Sequence, residues 1–379
     1  TTFDAHADGV WSAPGLVTII GEHTDDNQGL SMATITPHRA YIAARLREDT
    51  TIRVVVDDIE PFVASGSTWS GKLGAITAES AHGWPAYVAG VLWAMQERGF
   101  NGPGMDVAVA SCVPAGAALG HAAAIEACTA LAANDLWRLA LDHDQGLAEL
   151  AECCVDGENM IAGRPSGGRE QHTALRCHDN EAILLDFEDH HPRATACPLQ
   201  FPDYGLALLA VDTQVRTKVE GGVRGMRRVD CERAAQALGL TSLRQLQEDP
   251  RGWTLLNNLD DPILRKRARH VYSENDRVML VRDKLSATDP AEERFVAVGQ
   301  ALSRSHASLD ADFDVSSPEL NLAVTAAADA GALGGKLIGG GFGGSVMVLV
   351  RRAHVERIAK TISETFLEAG LKRPQFLLV

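Results

Sequence analysis

The chain has 379 residues, of which 45% are hydrophobic and 22% charged, and 35 basic against 50 acidic residues give a formal net charge of −15. This balance is typical of a folded protein and excludes a disordered one, and the length predicts two domains. The negative charge argues against a protein that coats nucleic acid or an anionic membrane, so we expect neither as a partner.

Along the chain, predicted strands and helices follow one another without a regular βαβ alternation, which favours an α+β fold. Hydrophobic periodicity predicts strands over residues 17–23, 41–46, 51–58, 105–113, 182–187 and 205–213. Helical spacing predicts helices over residues 84–99, 122–140, 226–239 and 321–331. Residues 336–352 read as a glycine turn that leads into a buried strand.

A polar, proline-bounded stretch near residues 190–200 predicts the domain boundary, with an N-terminal domain over 1–195 and a C-terminal domain over 196–379. The seven cysteines form no C-x-x-C pair, which predicts reduced thiols rather than disulfides or a zinc site. The first fifteen residues lack the pattern of a signal peptide, and no apolar run reaches the ~18 residues that span a bilayer. We therefore expect a cytoplasmic protein.

The segment VPAGAALGHAAAIEACTALA, residues 113–132, is a small-residue loop between a predicted strand and a predicted helix. Such a loop directs backbone N–H groups and the positive end of the helix at an anion, commonly a phosphate. It is not a Walker loop, because no G-K-[ST] follows. Taken alone, the segment fits phosphate binding and a tight packing turn equally well.

Several further segments carry one family resemblance in the same order along the chain. APGLVTIIGEHTDDNQG (13–29) resembles the galactokinase signature of the GHMP small-molecule kinases, and VPAGAALGHAAAIE (113–126) is similar to that family's phosphate loop. GGREQHTALRCHDNEAILLDF (167–187), SSPELNLAV (316–324) and GGGFGG (339–344) resemble later family segments. The resemblance implies two α+β domains with the active site in the cleft between them.

The same resemblance shows where this chain departs from the family motifs. Leu16 stands where the family has an arginine associated with catalysis, and Glu170 where it has the aspartate that serves as base. Gly120 and His121 fall in the serine run that includes a magnesium-facing serine. Phosphoryl transfer depends on exact positioning and on electrostatic stabilisation of the transferred group. The chain lacks the family's arginine and serine hydroxyl, and its carboxylate at position 170 is displaced by one methylene, so both contributions should be weaker. Efficient galactokinase activity is therefore doubtful from the sequence.

The motif positions give three sets of candidate site residues. We predict acid/base roles for the first set, because a carboxylate and imidazoles can exchange protons near neutral pH: Glu170, His121 and His172. Substrate contacts are predicted for the second set, Glu22, His23, Asp25, Asp26, Arg169 and Arg224. The third set would bind nucleotide phosphate if that function is retained: Gly116, Ala118, Gly120, Gly340 and Gly341.

No metal site is predicted. A three-ligand set of His121, Glu170 and His172, with Glu170-x-His172 alternating on an extended segment, stays an open but less favoured hypothesis.

The favoured prediction for the function is a galactokinase-like enzyme that binds a sugar or sugar-derived substrate and performs non-kinase acid/base chemistry such as isomerisation, elimination or hydrolysis. Two alternatives remain. One is a residual sugar kinase, which would use ATP and Mg²⁺; the cofactor is otherwise unknown. The other is a non-catalytic sugar sensor. The expected partner in all three is a small sugar or a sugar-phosphate-like molecule.

Overall fold

A computed structural model describes residues 3, 6–57, 66–216, 222–288 and 290–379, with only the backbone described for 222–224. The strands are β1 Gly9–Ile20, β2 Leu30–Leu46, β3 Thr51–Asp57, β4 Thr68–Lys72, β5 Met105–Ser111, β6 Glu181–Asp186, β7 Arg193–Pro198, β8 Leu206–Asp212, β9 Gly334–Leu337, β10 Ser345–Arg351 and β11 Gln375–Leu378. The helices are α1 Ala86–Glu97, α2 His121–Leu136, α3 Asp144–Met160, α4 Arg169–Arg176, α5 Gly222–Ala237, α6 Gly252–Asn257, α7 Pro262–Ser286, α8 Ala291–Ala311, α9 Pro318–Asp329 and α10 Val355–Glu368. This mixture confirms the predicted α+β class. None of these helices in the described ranges is long and apolar enough to cross a membrane.

The first compact unit comprises Thr1–Leu16 and Ile35–Cys177. In its sheet β3 pairs antiparallel with β4 and parallel with β5, and β5 pairs antiparallel with the second part of β2. Helices α1 to α4 pack on one another. Alanines and glycines allow a close approach: a Cβ at Gly90 of α1 would lie 2.9 Å from the carbonyl oxygen of Gly157 in α3.

The second compact unit comprises Val17–Thr34 and His178–Val379. Here the first part of β2 pairs with β6, and β6 pairs with β7, all antiparallel. A separate antiparallel sheet has the order β11-β8-β10-β9. Its central strands read as continuous apolar runs because they pack against α5, α7, α9 and α10 in one buried core.

The compact units do not divide at the predicted boundary of 195/196. That position lies inside β7, whose residues mostly face solvent and pair with β6. The chain leaves the first unit after Cys177, and residues 17–29 of the galactokinase-like signature belong to the second unit. The polar composition near 190–200 therefore reflects an exposed strand rather than a linker.

Two predicted elements end earlier than the periodicity suggested. The strand predicted over 17–23 ends at Ile20, because Gly21 and His23 have positive φ angles of 96° and 62° and form a turn. The helix predicted over 122–140 ends at Leu136, and Arg138 and Ala140 each have φ of 57°. In both places the left-handed backbone interrupts the regular element.

Candidate functional site

The loop between β5 and α2 has the backbone of an anion site. Gly116, Ala118 and Gly120 have φ angles of 72°, 57° and 71°, and Gly120 is the N-cap of α2. Only glycine takes such angles without strain, so Ala118 is held there by its surroundings. The first backbone N–H groups of this 16-residue helix have no partner within the helix and carry its positive partial charge.

Two of the positions that depart from the family motif contact each other at this loop. The backbone N–H of Leu16 donates to the carbonyl oxygen of Leu119 at 2.9 Å. A Cβ at Gly120 would lie 2.7 Å from Cγ of Leu16, which is itself 1% exposed. An apolar side chain thus closes against the glycine, and a larger residue at position 120 requires Leu16 to move.

His121 is the first residue of α2 and carries a neutral ring at pH 7. Burial lowers its pKa from 6.5 to about 4. Its Nε2 atom is buried and has no hydrogen-bond partner among the described residues. A neutral imidazole offers one donor and one acceptor, and the positive helix end opposes its protonation.

A buried acidic cluster that the sequence predictions missed lies where α2, α3 and α4 pack together. The Gln171 Nε2 atom donates to Glu126 at 2.9 Å and to Glu158 at 2.7 Å, and the Gln171 Oε1 atom lies 3.1 Å from Ser166 Oγ. Burial, followed by the charge of Glu158, raises the pKa of Glu126 well above its usual value. Glu126 is the last residue of the phosphate-loop-like motif, so the motif could have identified it as a candidate. Glu158 lies in α3, where no local sequence pattern distinguishes it.

Helix α4 carries three of the predicted residues. Arg169 is 2% exposed, and its Nη2 atom lies 3.7 Å from Oε1 of the partly exposed Glu170. His172 is completely buried; its Nε2 lies 3.1 Å from Glu152, and its Nδ1 lies 3.3 Å from Arg176. The contact with Glu152 ties α4 to α3, and the acid/base role of His172 stays a prediction.

The segment from 169 to 176 is helical, so the predicted extended alternation of Glu170 and His172 is wrong. Residues i and i+2 of a helix point to different sides. Within the described ranges no group of three or more His, Cys, Asp and Glu side chains is placed to hold a metal ion. The set of His121, Glu170 and His172 therefore gains no support as a metal site.

In the second unit, the turn after β1 presents Glu22 and His23 to buried partners. The Glu22 carboxylate pairs with Lys336, and both side chains are 0% exposed. The His23 ring stacks on Phe313 with centroids 4.6 Å apart. Lys336 also donates to the carbonyl oxygen of Leu337 within β9 at 2.9 Å, and its pairing with Glu22 ties β9 to the turn. Glu22 is thus enclosed by protein in this structure.

The remaining signature residues lie on the short turn of helix that follows. Asp25 is 6% exposed, and Asp26 lies 3.6 Å from Arg228 of α5. The Asn27 amide donates to the carbonyl oxygen of His23 at 2.9 Å and fixes the turn. The side chain of Arg224, the other predicted contact, lies outside the described residues.

The glycine turn between β9 and β10 includes Gly340 and Gly341. Gly341 has φ of 80°, and a Cβ there would lie 2.2 Å from the carbonyl oxygen of Val315. The next residue, Phe342, donates its N–H to that same oxygen at 2.7 Å. Gly341 is therefore required by close packing, whatever else the turn binds.

Comparison with known families gives the class of protein. Residues 86–176 match the GHMP kinases N terminal domain, and residues 286–367 match the GHMP kinases C terminal domain. Residues 1–46 match the galactokinase galactose-binding signature. The fold and these three matches are those of the GHMP kinase superfamily.

Curated relatives narrow the assignment. A galactokinase of Streptomyces coelicolor is 39% identical over 373 residues, which cover 98% of this chain and 92% of that protein. A galactokinase of Mycobacterium tuberculosis is 34% identical over 377 residues, with 96% and 95% covered. The chain belongs to the galactokinase family.

Solved structures agree on the fold. Lactococcus lactis galactokinase complexed with galactose has a TM-score of 0.84 at 24% identity, with 98% of this chain and 93% of that chain covered. Methanococcus jannaschii mevalonate kinase has a TM-score of 0.65 at 14% identity, with 99% and 98% covered. The predicted two-domain GHMP-kinase fold is confirmed.

Proposed function

We propose that this protein is an ATP-dependent sugar kinase, with galactose as the first sugar to test. The names of its curated relatives and the matched galactose-binding signature support this choice. The non-kinase acid/base chemistry favoured from the sequence gains no support from those relatives. The residual kinase, one of the alternatives drawn from the sequence, accordingly becomes the main proposal.

The observation that carries the proposal is the acidic cluster beside the anion-binding loop. Two glutamates that share one amide donor crowd negative charge where α2 begins to pack on α3 and α4. Glu126 Oε1 is buried and has no partner among the described residues. Carboxylates are the ligands that Mg²⁺ prefers, and Mg²⁺ usually takes one or two of them together with phosphate oxygens and water. Glu126 and Glu158 therefore fit a Mg²⁺ ion that arrives with ATP as substrate.

We assign separate roles in phosphoryl transfer to the other candidate residues of the first unit. We assign the phosphates of ATP to the N–H groups at the start of α2, with the neutral His121 ring as an added hydrogen-bonding group. We assign to Glu170 the proton of the attacking sugar hydroxyl, because it is the partly exposed carboxylate of α4. Arg169, next to it, holds Glu170 in place through the 3.7 Å contact between its Nη2 atom and Oε1 of Glu170.

In the second unit we assign sugar hydroxyls to Asp25 and to the imidazole of His23. The stacking of His23 on Phe313 fixes its ring plane, which would orient the imidazole toward a ligand. Glu22 acts through this turn, because its carboxylate is held by Lys336. Asp26 and Arg224 remain proposed contacts of the same ligand.

A second candidate is a sensor that binds sugar and nucleotide with little turnover. The contact between Leu16 and Gly120 favours it, because an apolar side chain occupies the position where the family motif has a cation. Such a protein would gain thermal stability with galactose and ATP-Mg but release no ADP.

A coupled ADP-release assay over galactose, other hexoses and heptoses tests the proposal, with thermal shift measured in parallel. We expect sugar-dependent ADP formation that falls about 100-fold or more in Glu170→Gln, the usual contribution of a positioned base. Glu149→Gln is the matched control, since Glu149 lies on α3 and pairs with Arg98. Absence of ADP release with any sugar would reject the kinase, and the thermal shift would then decide for or against the sensor.

A further inference from the structure

A cavity of about 460 Å³ lies on the second unit, away from every residue assigned above. Its walls come from the segment between β7 and β8, the end of α7 and the start of α8. The lining residues are Pro198, Gln200, Tyr204, Leu285, Ser286, Ala287, Thr288 and Arg294. The cavity is large enough for a small organic metabolite.

Arg294 is the charged residue of this lining, and it is held rigidly. The whole residue is only 3% exposed. Its Nη1 atom donates to the carbonyl oxygen of Ala287 at 2.6 Å and lies 3.4 Å from that of Lys284. The guanidinium also lies 5.3 Å from the ring centre of Tyr204 and 5.0 Å from that of Phe295. Because the side chain is already held in place, ligand binding would cost little side-chain entropy.

The opposite edge of the same guanidinium is unused. Nε is buried without a hydrogen-bond partner, and Nη2 makes neither a hydrogen bond nor an ion pair with any residue that the structure describes. These two atoms form the fork that binds an oxyanion through two parallel hydrogen bonds. Arg53 uses this edge on Asp106, with Nε at 2.6 Å and Nη2 at 2.7 Å.

A buried cation without an acidic partner is costly, so its unused edge calls for an anion. Ser286, Thr288 and Gln200 add hydroxyl and amide donors to the same lining. A carboxylate needs only the two donors of the fork, whereas a phosphate monoester has further oxygens for those groups. We propose that this cavity is a second ligand site, which binds a small phosphomonoester through its phosphate group on Arg294.

Calorimetric titration of the full chain with glycerol 3-phosphate tests the proposal, with glycerol and glycerate at equal ionic strength as comparison ligands. We expect binding with Kd below about 10 mM. Arg294→Met should weaken it about tenfold or more through loss of two charge-assisted hydrogen bonds. Glycerol should not bind, and glycerate should bind more weakly than the phosphomonoester.

Two further variants separate loss of the site from damage to the fold. Ser286→Trp fills the cavity from an exposed position, leaves Arg294 and its carbonyl partners in place, and should also abolish binding. Arg282→Met removes a partly exposed arginine of α7 that pairs with Asp283, and it should bind as the wild type does. No binding by the wild type, equal binding by Arg294→Met or Ser286→Trp, or tighter binding of glycerate would each overturn the proposal.

Discussion

Two buried glutamates, one in each unit, show opposite electrostatics. Glu274 in the second unit is completely buried, which pushes its pKa up, but Arg277, His270 and Lys336 hold that pKa at about 2. Glu126 in the first unit is equally buried, has no ion pair among the described residues, and has a pKa well above its usual value. At equal burial, the charged neighbours decide whether a carboxyl group has a lowered or a raised pKa.

This contrast distinguishes carboxylates that stabilise the fold from carboxylates that we propose bind a ligand. In the second unit, opposite charges neutralise each other and hold the signature turn: Glu274 Oε1 accepts from the backbone N–H of Gly21 at 3.0 Å, and Glu22 pairs with Lys336. In the first unit, the carboxyl groups of Glu126 and Glu158 share one amide donor, and the cation brought by a substrate is our proposal for their partner. The predictions that follow break one cluster or the other, from the largest expected effect to the smallest.

Lys336→Met should lower the free energy of unfolding by about 3–5 kcal/mol, because it leaves the Glu22 charge buried without its partner. Urea denaturation at pH 7 measures it. The control is Lys360→Met, whose lysine is 75% exposed and pairs with Glu364 on the surface, so it should cost less than about 1 kcal/mol. Adding Glu22→Gln to Lys336→Met should recover part of the loss. Equal effects of the two lysine variants would contradict the structural role of the buried pair.

His270→Gln should make the protein less sensitive to acid. Burial lowers the pKa of His270 from 6.5 to about 4, so the unfolded chain binds this proton first as the pH falls. The wild type therefore loses stability between pH 6.5 and pH 4, by about 3 kcal/mol if this pKa difference is fully expressed. Urea midpoints at pH 7 and pH 4 measure the difference, with exposed His190→Gln as control. An unchanged acid dependence in the variant would rule out this residue as its source.

Glu126→Gln should stabilise the protein at alkaline pH while weakening Mg²⁺-dependent activity. The folded pKa of Glu126 is raised, so its contribution is complete below 4.5 and is lost as the pH rises through the folded pKa. Glutamine mimics the protonated form, and we expect it to be more stable than wild type at pH 8 by about 1–2 kcal/mol. Thermal denaturation across pH 5 to 8 and a Mg²⁺ titration of ADP release measure the two effects. Parallel pH profiles for wild type and variant would contradict the raised pKa.

Arg228→Ala should have the smallest effect on stability, about 0–1 kcal/mol. Its side chain is 44% exposed, lies 3.6 Å from Asp26 and pairs with Glu232 at 3.1 Å, and exposed ion pairs contribute little. If Asp26 contacts sugar, the variant should alter the KM for sugar more than the unfolding midpoint. A loss of several kcal/mol would mean that this pair supports the turn as the buried pairs do.

The sequence was sufficient for the family, the α+β class and most elements. Motif order along nearly the whole chain identified the resemblance, and apolar runs such as β8 and β10 marked buried strands. It also placed the small-residue loop between β5 and α2, where Gly116 and Gly120 take positive φ angles. Phosphate binding by this loop stays a prediction. These features depend mainly on local patterns of apolar and small residues along the chain.

Only the tertiary structure separated the candidate residues by role. His172 and Glu170 are two residues apart and equally ionisable, yet one is completely buried against Glu152 and the other is partly exposed. Glu158 joins Glu126 only because α3 and α4 pack on α2, and Lys336 meets Glu22 across more than 300 residues of sequence. The charge state and access of a side chain depend on which groups packing brings to it, and a single sequence does not contain those distances.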